Sequence, residues 1–247
     1  MRGCVVFDVF GTCFGFDNVI DEIHKSYAQD LERADTNAQA VFLSWFYQTQ
    51  RDFTYLSLSD TYTPIAQVFA AVLPRVLRQA MPHLSKIDES RPKLITDQLK
   101  SLQPRPGLLE SIKNLEEAGL DVYAFTNGAA ASTKALFSQA YAQSSGMDTA
   151  FLSHLEARII SCDQVKAAKP DRKAYDLAKE RTITDNVEHA WFVAAHQWDL
   201  LPARNVGYKT AWVSYEELEP VTSLFGEPDV SADSLNDLSD KIIASTR

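Results

Sequence analysis

The sequence predicts an α/β fold, a doubly wound parallel sheet with a helical domain inserted after its first strand. Three observations predict it. Short apolar runs alternate with stretches of helical spacing over residues 103–247, the pattern of strands joined by crossover helices. The first apolar run, Gly3 to Asp8, ends in an acid and meets a glycine break at Phe10-Gly11-Thr12, which reads as a buried strand leaving its sheet. The block from about residue 17 to 102 shows mainly helical spacing. The expected domains are a core of residues 1–15 and 103–247 and a helical domain of residues 16–102.

Each element follows in order. Ile20, Ile23 and Tyr27, then Val41, Phe42, Trp45 and Phe46, then Ile65, Phe69, Val72, Leu73, Val76 and Leu77 mark helices of the insertion. Pro104, Pro106 and Gly107 form a turn, after which a helix over Leu108 to Ala118 stops at Gly119. Leu120 to Phe125 is apolar and β-favouring. A helix from Ala130 to Ala142, a strand at Arg158 to Ser161, a helix at Arg172 to Lys179 and strands at Ala190 to Ala195 and Thr210 to Ser214 continue the alternation. Glu216 to Asp240, rich in Ser, Pro and acids, reads as a surface-packed tail.

Composition removes several classes of function. With 247 residues and 45% apolar content the chain can bury a real core, which excludes intrinsic disorder and a disulfide mini-scaffold. The net charge of −9, without runs of like charge, argues against nucleic-acid binding. No apolar stretch approaches the roughly 20 residues of a membrane span, so no membrane partner is expected. The N-terminus lacks a signal peptide's apolar core, so the cytoplasm is the expected compartment. Cys4, Cys13 and Cys162 are odd in number and lack zinc-binding spacing, so they read as reduced thiols, with Cys4 and Cys162 in strands.

In a sheet of this kind the site lies outside the carboxyl ends of the strands. Those ends are Asp8, Thr126-Asn127, the loop before Lys169, and Ala194 to Asp199. Asp8, held by the sheet beside a Gly-Thr turn, is presented as a carboxylate nucleophile is; a capping Asp at a strand end is the alternative when the segment stands alone. Thr12, Thr126 and Asn127 can donate to a nucleophile, a substrate or a leaving anion, and also serve turns and caps.

The segments Phe7-Asp8-Val9-Phe10-Gly11-Thr12, Phe125-Thr126-Asn127-Gly128, Lys169-Pro170-Asp171 and Trp198-Asp199 resemble, in order, the four motifs of the haloacid dehalogenase (HAD) superfamily, and in particular its 2-haloacid dehalogenase branch. The resemblance runs from the first strand through Tyr175 and Gly207 to Val213, with residues 16–102 as a loosely matched helical cap. It implies a HAD-like core, an Asp8 that attacks substrate carbon or phosphorus to form an ester, and a Lys169 that keeps Asp8 ionised and oriented. It also implies a small-molecule substrate, a homodimer, Trp198 as an aromatic wall of a halide cradle, Asn127 as its amide donor and Tyr175 as an active-site position. The Tyr175 ring reads equally well as core.

Departures from the pattern sharpen the expected chemistry. Phosphatases of the superfamily carry a second Asp two residues after the nucleophile and a further acid in the fourth motif; here Phe10 and Ala194-Ala195 stand there. Without those acids magnesium is poorly held and a leaving oxygen goes unprotonated, which argues against a phosphatase and for no metal or cofactor. A halide leaves unassisted, and Phe10 suits an apolar pocket. The cap Arg of the branch has no counterpart; Tyr47 aligns with it and Arg51 lies one turn on, which points to a less charged substrate or reduced 2-haloacid binding. Phe46, Tyr47, Arg51 and Phe53 are then the candidates for specificity. His196 stands where the branch carries water-binding polar residues; it is either a base for ester hydrolysis, with Asp199 tuning it or pairing with Lys169, or a structural hydrogen bond at the strand end. A non-catalytic binding member is the remaining reading.

Overall fold

Two segments distant in sequence join into one unit, Met1–Gly15 with Pro104–Arg247, and Phe16–Gln103 forms a second. The computed structural model describes residues 3–144 and 149–246. The first unit opens with β1 (Gly3–Asp8) and β2 (Phe14–Gly15). The second holds α1 (Asp17–Arg33), α2 (Ala38–Leu58), α3 (Ile65–Ala80) and α4 (Ser90–Asp97). After β3 (Gln103–Pro104), the chain continues through α5 (Leu108–Glu117), β4 (Leu120–Thr126), α6 (Ala130–Gln143), α7 (Ala150–Ser153), α8 (Leu155–Arg158) and β5 (Ile159–Ser161). It ends with α9 (Arg172–Thr182), β6 (His189–Ala194), α10 (Gln197–Val206), β7 (Lys209–Val213), α11 (Thr222–Phe225), β8 (Val230–Ala232) and α12 (Leu235–Thr246).

The main sheet has the order β5-β4-β1-β6-β7-β8, with parallel pairing throughout. β1 lies between β4 and β6, in register Asp8 to Phe125 and Phe7 to Val193. A central parallel strand is covered on both faces, which is why all six of its residues are buried and its apolar run does not alternate. From β1 the chain steps outward to β4 and β5, then returns to β1's other side with β6. That reversal is the crevice where open α/β sheets bind ligands.

One face of the sheet is packed by Val6, Phe125, Phe192, Ala174, Ala178, Leu200 and Ala203 around Tyr175 and Tyr208. Gly119 (φ +85°) ends α5 in the left-handed conformation, as a glycine at that boundary allows. In the helical unit, Asn37 caps α2 by accepting from Ala40 N at 2.9 Å. Val41, Phe42, Trp45, Phe46 and Phe53 bury one face of α2, and Trp45 Nε1 donates to Phe69 O of α3 at 2.9 Å.

The expected tail is a correction. Residues 216–240 include the sixth strand and the start of a helix whose Leu235, Leu238 and Ile242 are buried. Leu235, Leu238 and Ile242 keep helical spacing inside a segment whose Ser and Asp content reads as surface. Cys162 lies in a 3-10 turn after β5 rather than in the strand. Among the described residues no helix is long and apolar enough to cross a membrane.

Candidate active site

The turn after β1 presents Asp8. Gly11 adopts φ +85°, a region that costs a side chain energy but not glycine. Gly11 N donates to Phe14 O and Cys13 N to Val9 O, each at 2.9 Å, so the chain folds back over the strand end. Thr12 Oγ1 thereby donates to Asp8 Oδ2 at 2.8 Å and accepts from Ala195 N at 2.9 Å, tying the turn to the end of β6.

Lys169 supplies the other half. It is 1% exposed, and its Nζ donates to Asp8 Oδ1 (2.8 Å), Asp199 Oδ2 (2.9 Å) and Phe125 O (3.0 Å). An ammonium has three protons, and three acceptors take them. Asn127 Oδ1 accepts from Lys169 N at 3.0 Å, fixing the loop that carries the lysine. Tyr175, on the first turn of α9 below the Asp171 cap, donates its hydroxyl to Asp199 Oδ1.

Charge in the site is set by burial and sharing. Burial opposes the Lys169 ammonium, but the carboxylates of Asp199 and Asp8 outweigh it and raise its pKa above the ordinary lysine value. Burial lifts Asp199 above the usual carboxylate range; Lys169 pulls it back, while the charge of Asp8 adds to the rise. Two carboxylates around one cation leave the cluster with an excess negative charge when both are ionised.

His196, 2% exposed, lies at the N-terminus of α10 with its ring 5.6 Å from that of Trp198. Burial brings its pKa down to about 4; Asp8 opposes this, and Lys169 and Arg105 add to it. The imidazole is therefore neutral near pH 7, the form that accepts a proton. Asp199 pairs with Lys169 rather than tuning the imidazole.

The remaining residues take these places. Thr126 Oγ1 accepts from Gly128 N at 2.8 Å and is a turn group in this state. Phe10 lies against Gly128, where an added Cβ would come within 3.0 Å of its ring. Tyr47 is on α2 of the helical unit, 48% exposed and against Phe46, and Arg51 pairs with Asp52 at 2.8 Å. Phe46 and Phe53 are core residues of that unit, packed on Phe16, Phe42 and Phe69 and on Tyr62 respectively, so their aromatic character serves packing. Sequence reasoning missed Arg105, Glu216, Glu217 and Gln197. Gln197 N donates to Glu217 Oε2 at 2.8 Å. Arg105 sat within a turn signal and the two acids within the supposed tail.

The residues present do not fit a magnesium ion of the phosphatase type. Both oxygens of Asp8 and both of Asp199 already accept from Thr12, Lys169 and Tyr175, and Phe10 stands where the second acid would be. Among the described residues no group of three or more His, Cys, Asp or Glu side chains is placed to hold a metal ion.

A parallel α/β core with an aspartate, a threonine, a lysine and a second aspartate joined at its strand ends defines a hydrolase fold. A family model for haloacid dehalogenase-like hydrolases matches residues 3–207, and the chain belongs to that family. It is 29% identical over 212 residues to (S)-2-haloacid dehalogenase H-109 of Pseudomonas putida, covering 85% of this chain and 84% of that one. Haloacetate dehalogenase H-2 of Moraxella sp. is 25% identical, with 85% and 84% covered. The L-2-haloacid dehalogenase of Xanthobacter autotrophicus shares the fold, with a TM-score of 0.76 at 22% identity over 98% of each chain.

Proposed function

We propose that this hydrolase displaces halide from a small 2-halo acid, or a near relative of one, through an ester on Asp8. The observation that carries the reading is the Asp8 carboxylate, held at Oδ1 by Lys169 and at Oδ2 by Thr12, with Phe10 in place of a leaving-group acid. An Asp8 oxygen attacks the carbon bearing the halogen, the carbon–halogen bond breaks, and the halide leaves with its electron pair. Fixing the carboxylate holds the attacking oxygen in line without further ordering. Asn127 and Trp198 border the departing anion.

Water then attacks the Asp8 ester carbonyl as His196 takes its proton. Collapse of the tetrahedral adduct releases the 2-hydroxy acid oxygen, which takes that proton, and Asp8 ionises by losing one proton to solvent. Because attack at carbon occurs once, the configuration inverts. Residues 16–103 serve as the cap that selects substrate. A less charged substrate with the same covalent chemistry is the second reading, favoured by Arg51 being engaged by Asp52.

The test is a panel of (S)-2-halo acids, neutral halides and a phosphate ester, with magnesium or chelator, beside Asp8→Asn. Halide release that survives chelation and disappears in Asp8→Asn is expected. Magnesium-dependent phosphate release, or turnover by Asp8→Asn, would overturn the reading.

A further inference from the structure

Arg105 grips the nucleophile turn on both sides of Thr12. Its backbone N donates to Cys13 O at 2.8 Å, and its Nε donates to Gly11 O at 3.1 Å. Its Nη2 is ion-paired with Glu216, and its guanidinium lies 4.9 Å from the Tyr215 ring. Glu216 in turn covers the bare Cα of Gly11, where an added Cβ would meet Glu216 Cγ at 3.1 Å and His196 Cε1 at 3.2 Å. Exposed ion pairs contribute little, but these two side chains are only 18% and 12% exposed and one of them holds backbone.

We propose that Arg105 and Glu216 are positioning residues: together they clamp the Gly11 turn, and so fix Thr12 against Asp8 and the imidazole of His196 beside it. The proposal rests on the reading of Asp8 as nucleophile and His196 as base. Thr12 Oγ1 links the turn to Asp8 Oδ2 by a side-chain hydrogen bond, so a shift of the turn passes directly to the attacking carboxylate. Arg is required because its planar fork reaches a carbonyl and a carboxylate at once; a lysine supplies a charge at one point. Among the described residues, the charged groups near His196 include Asp8 at the end of β1, Lys169 before α9, Arg105 before α5, and Glu216 after β7, which meets it across Gly11. Asp8 favours the imidazolium, and Lys169 and Arg105 disfavour it.

The experiment compares the full chain with Arg105→Met, Arg105→Lys and Glu216→Gln, following halide release across pH and the His196 imidazole by NMR. In Arg105→Met, kcat is expected to fall about tenfold or more with KM within about twofold, as for loss of geometry rather than binding. Its His196 titration moves to higher pH. Arg105→Lys keeps the titration near the wild-type position but not the rate, and Glu216→Gln loses about threefold in kcat. Thermal unfolding run beside each variant identifies any that fail to fold; Arg105→Lys and Glu216→Gln then decide. Wild-type kcat and titration in the folded variants, or a change confined to KM, overturns the clamp. A wild type that releases no halide, or an active Asp8→Asn, overturns the catalytic reading instead, and the NMR titration still reports on the clamp without turnover.

Discussion

Lys169 Nζ stands 2.9 Å from Asp199 Oδ2 while also reaching Asp8, so the cation that faces Asp8 is itself held by a second buried carboxylate. Removing one partner of a buried ion pair leaves charge uncompensated. Lys169→Met is therefore expected to abolish turnover and to lower stability by about 3 to 5 kcal/mol in urea unfolding. Adding Asp199→Asn to it should recover part of that loss. Equal stability of Lys169→Met and wild type would mean that the cluster contributes nothing to folding.

Tyr175 is fully buried against Phe125 and Phe192, yet its hydroxyl reaches Asp199 Oδ1. Tyr175→Phe keeps the ring and removes the donor. The expected loss is about 1.5 to 3 kcal/mol, the range for a hydrogen bond to a charged group, with reduced kcat. A neutral substitution would assign Tyr175 to packing alone.

His196 sets an acid dependence. Its ordinary value is 6.5, and its folded value is about 4. Between these the unfolded chain binds a proton that the folded chain refuses, so stability is complete above pH 6.5 and declines as pH falls toward 4. The full span amounts to about 3 kcal/mol. His196→Gln removes this segment of the profile, which a difference in urea midpoint between the two proteins across pH will show. An identical slope in both proteins would assign the acid dependence elsewhere.

Gly11→Ala places a side chain at φ +85° against Glu216 and His196. A cost of about 1 to 3 kcal/mol is expected from the backbone alone, with loss of halide release exceeding loss of folded protein. Circular dichroism melts and single-turnover assays on the same sample separate the two.

How much of this was legible depends on whether the signal was local. β1 is continuous apolar chain ending in Asp8, and its bounds are those expected from the sequence. Asp8 ends β1, and Thr12, Lys169 and Asp199 lie in the segments that follow β1, β5 and β6, on the side of an α/β sheet where position already brings them together. Arg105 and Glu216 are 111 residues apart, and neither has a neighbour in sequence that marks it. The short strand Val230–Ala232 has too few residues to show a period, so it joined the supposed tail.

The three cysteines carry a further consequence. All are buried, and burial pushes Cys4 to about 11, Cys162 to about 12 and Cys13 well above its ordinary value. The thiolate is the form that alkylating agents attack, and 2-halo acids are alkylating agents. Under the proposed function, buried thiols that stay protonated do not compete with Asp8 for such a reagent, so the cysteines are protected from the chemistry of the substrate.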